Sequence, residues 1–321
     1  MNITDFKNKK ILITGFTGLI GTALVNFFKE TKIDGLALIL ASRSEQDATN
    51  LPNFTIIKNE EISNIESLDY IFHLASPTHS EDLFYKPVET ILNSIDLARS
   101  VLDLSVKTKA KIIYMSSVEV YGYKNSDKKI EEKELGYIDL KNARSSYPEM
   151  KRIIELLIHC YYTEHKINYN IIRLAQCFGK GVSSEDNRIF AFIAKSILKD
   201  KDIELNSSGE TIKDYISTDD AITAMLSIAL NGKPSETYNL TNENNVASIN
   251  DLCLICNDVC KTNFNKHNVK VIHNLDTITT KKYPREQIIK MSSEKLFKDT
   301  GFKAKKTIYS MFYEMIHDWK I

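Results

Sequence analysis

Apolar residues along this chain fall into short continuous runs that alternate with stretches of helical periodicity. Lys10 to Thr14 reads as a strand, and Gly18 to Lys29 as a helix. Leu36 to Ala41, Phe54 to Lys58 and Tyr70 to Ala75 read as further strands. A helix is expected from about Pro87 to Lys107, a strand at Lys111 to Ser116, a helix from about Tyr147 to Glu164 and a strand at Tyr169 to Leu174. Such alternation predicts an α/β fold with a parallel sheet and helices on both faces. Near-continuous apolar strands fit burial from both sides.

After about Gln176 the pattern loosens. Loops rich in Gly, Ser, Asn and Asp occur at Gly179–Asn187 and Asn206–Asp214. Helices at Arg188–Lys199, Asp219–Leu230 and Ser248–Lys261 are separated by short strands. Two regions follow: residues 1–175 as the sheet domain, and 176–321 as a smaller mixed α/β region closing over the sheet end. Residues 210–240 are expected to return to the first region. Lys124–Arg144 is highly charged and reads as an exposed connection.

Composition narrows the partners. The 321 residues carry 42 basic and 42 acidic side chains, so the formal net charge is zero. A neutral chain has no global field for nucleic acid or anionic lipid, so any phosphate site must be local. No apolar run approaches the roughly 20 residues that span a bilayer. The first ten residues lack the apolar stretch of a secretory signal. An odd count of 5 cysteines then suggests a reducing cytoplasm. Cys253, Cys256 and Cys260 share one helix face with Leu252 and Val259 nearby. They read as buried small hydrophobes rather than metal ligands.

The first strand runs into Thr14-Gly15-Phe16-Thr17-Gly18-Leu19-Ile20-Gly21. Gly15 permits a tight turn, Gly18 a close phosphate approach, and Gly21 tight helix–strand packing. Free N–H groups at the following helix N-terminus hold a pyrophosphate without net protein charge. With the strand before and the helix after, this predicts a Rossmann-type doubly wound sheet that binds a dinucleotide. The end of the second strand reads Ser42-Arg43, without an acid. That pair suits the 2′-phosphate of NADP, while Arg43 equally suits stacking on the adenine of NAD. The cofactor is expected to be NAD or NADP, with NAD preferred.

Tyr147 and Lys151 are four apart, on one helix face. Ser146 and Glu149 have capping-box spacing and Pro148 suits the first turn. A phenol with a pKa of about 10 is a poor base. An ammonium about 4 Å away contributes roughly 4 kcal/mol at an effective dielectric of 20, enough to bring the phenol into a useful range. The strand Lys111–Ser116 leads into Ser117-Val118-Glu119, at the carboxyl end where open sheets bind ligands. A serine hydroxyl there is placed to hydrogen-bond a reacting oxygen.

Together these residues resemble the extended short-chain dehydrogenase/reductase family, in its NAD-dependent nucleotide-sugar epimerase/dehydratase branch. The resemblance covers almost the whole chain. It rests on Thr14–Gly21, His73-Leu74-Ala75-Ser76-Pro77, Ser116–Gly122, Tyr147–Arg152, Arg173–Gly179, Gly209–Asp220 and Gly301-Phe302. Within the branch the chain looks most like UDP-glucuronate decarboxylases, through Pro87, Thr90, the Ser-x-Glu-Val-Tyr-Gly run and Asn187-Arg188. The resemblance implies Tyr147 as base, Lys151 as its activator and ribose ligand, Ser117 as partner of the reacting oxygen and Glu119 as an acting carboxylate. It places Leu74, Ala75 and Ser76 beside the cofactor. Ser76, Thr78, His79 and Gln176 fall on the sugar side, and Asn187, Arg188 and Lys213 toward the nucleotide diphosphate. Region 176–321 is then mainly a nucleotide-sugar-binding region. Val118 stands where 4,6-dehydratases carry an aspartate. Lys213 replaces the usual arginine and Gln176 a common asparagine. The decarboxylases' C-terminal arginine has no clear counterpart, its place falling near Ile289 or Arg285.

The implied chemistry is transient oxidation at sugar C4. Tyr147 takes the hydroxyl proton and a hydride moves to the nicotinamide. Epimerisation or decarboxylation follows, and hydride return leaves no net redox change. The alternatives are an NADPH-dependent 4-ketosugar reductase, a 4,6-dehydratase, disfavoured by Val118, and a non-catalytic nucleotide-binding regulator, disfavoured by the intact Ser117, Tyr147 and Lys151. A homodimer is expected, paired through the Pro87–Lys107 and Tyr147–Glu164 helices, with Leu156, Leu157 and Cys160 either at that seam or facing the sheet.

Overall fold

The computed structural model describes residues 2–43, 54–77, 85–275 and 286–319. Its first region supplies six strands of a seven-stranded sheet, completed by a strand from the second. In chain order it comprises β1 (Lys10–Thr14), α1 (Leu19–Thr31), β2 (Ala37–Ser42), β3 (Phe54–Lys58), β4 (Tyr70–His73), α2 (Pro87–Thr108), β5 (Lys111–Ser117), α3 (Ser146–His165) and β6 (Tyr169–Leu174). The second region adds β7 (Gln176–Phe178), α4 (Ile189–Leu198), β8 (Ile203–Leu205), β9 (Ile212–Ser217), α5 (Thr218–Asn231), β10 (Glu236–Leu240), β11 (Asn242–Ser248), α6 (Ile249–Phe264), β12 (Val271–His273), β13 (Ile288–Ile289), α7 (Glu294–Thr300) and α8 (Ile308–Asp318).

The sheet order is β3-β2-β1-β4-β5-β6-β10, and every pairing in it is parallel. Strand order reverses between β1 and β4, where Ile13 lies opposite both Leu40 and Phe72. That reversal opens the crevice in which doubly wound sheets bind ligands. Helices cover both faces, so the strands are apolar throughout. Leu24, Val25 and Phe28 of α1 and Ile222, Met225 and Leu226 of α5 pack on one face. Val101 and Leu102 of α2 and Met150, Ile154 and Ile158 of α3 pack on the other. Each such fully buried side chain contributes about 1.5–3 kcal/mol relative to exposure.

The strands fall close to where the apolar runs put them. One ends early: β4 stops at His73, and Leu74 and Ala75 turn away to bond Thr14 instead. In the second region β9 pairs with β7, β11 and β13. Chain 218–240, as α5 and β10, then rejoins the first sheet. The second core contains Phe178, Phe190 and Phe312, with Phe178 and Phe190 stacked at 4.6 Å between centroids. Cys253, Cys256 and Cys260 are fully buried there, beside Leu252 and Val259.

The charged segment 124–144 differs from the sequence expectation of an exposed connection. Ile130 is buried, and bridges join Asn125 to Ile288 and Ile130 to Met291. The Glu132 carbonyl accepts from Arg173 at 2.6 Å. Most of its charges face solvent, Arg144 and Glu132 excepted, while its backbone stitches the second region to the sheet.

Candidate active site

The turn after β1 is built around two steric necessities. Gly15 has φ +71°, and a Cβ there would sit 2.6 Å from the Ala75 backbone. A Cβ on Gly21 would come within 2.2 Å of the Gly15 carbonyl oxygen. Gly18 is different: its Cβ would meet only that same oxygen, at 3.5 Å. Packing within the protein therefore explains Gly15 and Gly21 but not Gly18. Gly18 is the N-cap of α1, with no side-chain cap and no acid in the first turn. By contrast, Ser217 caps α5 and Ser248 caps α6. The exposed Thr17 and Gly18, with Leu19 and Ile20 half-buried behind them, leave this N-terminus open to an anion.

Across the strand reversal, Thr14 Oγ1 accepts from Ala75 N–H at 3.3 Å and contacts His73 Nδ1 at 2.8 Å. Burial, assisted by Lys151, pushes His73 down to about 3, so the ring is neutral. Ser76 Oγ is buried without a protein partner among the described residues. Phe16 and Leu74 pack against the first core. Ser42 ends β2 half-buried, with Arg43 exposed just beyond it. Thr78, His79 and Arg285 lie outside the described residues.

At the carboxyl end of β5, Ser117 caps a 3-10 turn, Val118–Tyr121, and accepts from Glu119 N–H at 3.2 Å. Tyr147 and Lys151 approach from α3. Lys151 is 2% exposed and donates to the Met115 carbonyl at 2.7 Å. Its Nζ stands 5.8 Å from the Tyr147 ring centroid. The structure reverses the expected lowering of the phenol. Burial, with Glu119 adding to it, pushes Tyr147 up to about 12 against the opposing effects of Ser117, Arg144 and Arg188. Burial pushes Lys151 down to about 7. The ammonium is spent on Met115 rather than on the phenol.

The capping-box reading also fails. A 3-10 turn, Ala143–Ser145, runs straight into α3, and its carbonyls take the Ser146 N–H. Ser146 Oγ is buried without a partner among the described residues, and Glu149 instead bonds Arg152 at 3.0 Å. Arg152 also donates to the Val120 and Gly136 carbonyls, fixing the loop that carries Glu119.

Glu119 has a partner that the sequence reading missed. Arg144 donates from Nη1 and Nη2 to the two carboxylate oxygens, each at 2.8 Å. The signal was its position three residues before Tyr147, hidden within a segment read as exposed. Behind these residues Glu155 binds Ser116 at 2.5 Å and Arg173 at 2.6 Å. Lys213 lies close enough to Glu119 and Arg144 to feel both charges, and burial lowers its ammonium. It makes no hydrogen bond or ion pair among the described residues. Gln176 opens β7 opposite Tyr215 of β9. Arg188 is tied to Asp186 at 2.6 Å, and Asn187 accepts from Lys195 at 3.2 Å.

A parallel sheet of this order, an uncapped glycine turn and a Tyr–Lys helix beside Ser117 define an extended short-chain dehydrogenase/reductase. The chain belongs to the NAD dependent epimerase/dehydratase family, whose model it matches over residues 11–241. It is 23% identical over 248 residues to UDP-glucuronic acid decarboxylase 1 of Xenopus tropicalis, covering 75% of this chain and 58% of that protein. It resembles the structure of UDP-glucose 4-epimerase with UDP-glucose from Thermotoga maritima, with TM-score 0.80, 19% identity and coverage of 97% and 98% of the two chains. It also resembles a Bacillus cereus UDP-glucuronic acid 4-epimerase bound to a fluorinated UDP-sugar and NAD, with TM-score 0.80, 20% identity and coverage of 97% and 99%. No helix among the described residues is long and apolar enough to cross a membrane.

Proposed function

We propose that this chain modifies a nucleotide-diphosphate sugar by transient oxidation at C4, with epimerisation or decarboxylation as the outcome. The observation that carries this reading is the convergence of Ser117, Tyr147 and Lys151 at the end of β5, beside the Gly15–Gly21 turn. The open α1 N-terminus and the clear face at Gly18 fit a dinucleotide pyrophosphate. Phe16, Thr17, Leu19 and Ile20 shape that turn, and Leu74, Ala75 and Ser76 line its opposite wall. Ser42 and Arg43 are assigned to the adenosine end, and Lys151 to the nicotinamide ribose. Bound NAD supplies the reversible hydride acceptor.

The side chains supply position and proton transfer. Ser117 holds the reacting C4 oxygen, and Tyr147, reacting as its phenolate, receives the hydroxyl proton as the carbonyl forms. Where the sugar carries a C6 carboxylate, the 4-ketone makes it a β-keto acid. Carbon dioxide then leaves, its bonding pair passes into the enolate, and a proton returns to carbon. Val118, buried beside Ser117, offers no acid for expelling a hydroxyl. Lys213, without a protein hydrogen bond among the described residues, is assigned to the diphosphate. Gln176, Asn187 and Arg188 form the second region's side of the cleft. Residues 1–175 thus serve the dinucleotide and 176–321 mainly the nucleotide sugar. The exposed Val88, Leu92, Ile153 and Leu156 on α2 and α3 support a homodimer through these helices. Cys160 is also exposed there, whereas Leu157 packs toward the sheet.

The test is incubation of the purified protein with UDP-, dTDP-, GDP- and CDP-sugars, UDP-glucuronic acid first, following products by mass and NMR. Loss of carbon dioxide identifies decarboxylation, and unchanged mass with inverted stereochemistry identifies epimerisation. Tyr147→Phe should lose about 100-fold or more in turnover. Unchanged turnover in that variant refutes the assignment, and turnover only with added NADPH replaces it by ketosugar reduction.

A further inference from the structure

The Glu119 carboxylate is held from one side by a residue that is itself held. Arg144 sits on the 3-10 turn Ala143–Ser145, directly before α3. Asn142 accepts from the Arg144 N–H at 3.0 Å, and Ser145 Oγ donates to the Asp139 carbonyl at 2.6 Å. The guanidinium then reaches across to Glu119 with two parallel bonds of 2.8 Å. Its Cζ lies 5.9 Å from the Tyr147 ring centroid. Glu119 is anchored at its own backbone by Ser117. Both ends of the pair are therefore fixed, and the fork geometry sets the carboxylate plane.

We propose that Arg144 is a positioning residue: its bidentate bond holds Glu119 as an anion of fixed direction, so Glu119 accepts hydrogen bonds from the reacting sugar and does not donate a proton to it. This rests on the reading of Tyr147 as the proton acceptor.

The surroundings favour that division of labour. Burial alone would raise the Glu119 carboxyl, but Arg144, joined by Lys213 from β9, outweighs it and holds the group below its usual range. Tyr147 faces the same carboxylate from α3 and is raised by it. The anion on Glu119 thus opposes ionisation of Tyr147 in the free protein, while Arg144 keeps the carboxyl proton off Glu119. A lysine at 144 would keep the charge but lose the fork. A methionine would leave burial opposed by Lys213 alone.

The experiment is carboxyl NMR of protein labelled with ¹³C-glutamate, with the Glu119 signal assigned by Glu119→Gln. In the unaltered chain Glu119 should titrate below the ordinary carboxyl range. In Arg144→Met its midpoint should rise by at least about one pH unit, tenfold in proton affinity, and in Arg144→Lys by less. An unchanged midpoint in Arg144→Met overturns the proposal. If that variant does not fold, Arg144→Lys decides, and an unchanged midpoint there overturns it equally. The titration needs no substrate, so a failure of sugar turnover and a failure of this proposal are separate results.

Discussion

Gly18 offers a sharp separation of ligand binding from folding. Its backbone, φ −80° and ψ 170°, is open to alanine. A methyl there meets the Gly15 oxygen at an ordinary 3.5 Å. Alanine at an N-cap is disfavoured by about 0.5–1 kcal/mol, while loss of unfolded-chain freedom returns about 0.4–1 kcal/mol. The two nearly cancel, so Gly18→Ala should melt within about 1 °C of the parent. Gly21→Ala places its methyl 2.2 Å from the Gly15 oxygen and 2.6 Å from Phe16 Cα. Overpacking of that kind costs about 1–3 kcal/mol, which lowers the melting temperature of a chain this long by about 2–5 °C. For NAD the order reverses. Under the proposed function the Gly18 methyl stands where a pyrophosphate approaches the α1 N–H groups, so affinity should fall at least about tenfold, or ~1.4 kcal/mol. Differential scanning fluorimetry and calorimetric titration with NAD measure the two effects. Gly18→Ala with parental affinity, or with a stability loss matching Gly21→Ala, refutes the reasoning.

Two further outcomes follow from burial and exposure. Lys151 is held down to about 7 from 10.5 by burial. Between those values the unfolded chain binds more protons, so this group makes stability rise with pH across that window, and its cost is full below about 7. Lys151→Met should therefore be more stable than the parent near pH 6, with the advantage fading toward pH 10 (about these values) in urea titrations. A constant difference sinks the idea. On α3, Leu156 is 62% exposed. Leu156→Glu should convert a dimer to a monomer in light scattering, and its melting temperature should no longer rise with protein concentration as the parent's does. A parent chain already monomeric at about 10 µM removes the dimer reading.

The sheet was legible because each strand is apolar on both faces, and burial on both faces is what helices on each side require. β1, β3 and β6 end at the residues where their apolar runs end. The elements that carry Ser117, Tyr147 and Lys151 were legible because their spacing is local: one strand end and one helix turn. What escaped was set by contacts between distant segments. Arg144 looked like one cation in a charged stretch, and only the 3-10 turn that aims it at Glu119 gives it a task. The capping pattern at Ser146 was locally sound, but a preceding turn had already satisfied the same N–H group. The segment 124–144 looked solvated because its side chains are charged. Its burial comes from backbone bridges to 288–291, which no hydrophobic period records. Likewise the spacing of Tyr147 and Lys151 put them on one face but could not tell where the ammonium would point.

That last point bears on how a chain with no net charge accommodates an anionic ligand. Three of the cleft's arginines are answered within the protein: Arg144 by Glu119, Arg188 by Asp186 and Arg173 by Glu155. Their charge is used in holding shape. Lys151 and Lys213 have no carboxylate in hydrogen-bond range among the described residues, and burial lowers both. A buried cation without a counter-ion is costly and loses its proton more readily. Under the proposed function, a dinucleotide and a sugar diphosphate bring the missing negative charge, and each would favour the charged form of the lysine it meets. The strain on these two groups in the free protein is then the counterpart of selectivity for anions. A site whose cations were all paired would fold more comfortably and hold a phosphate less well. The pH series on Lys151→Met isolates one half of that exchange, because it measures what burying the ammonium costs before any anion arrives.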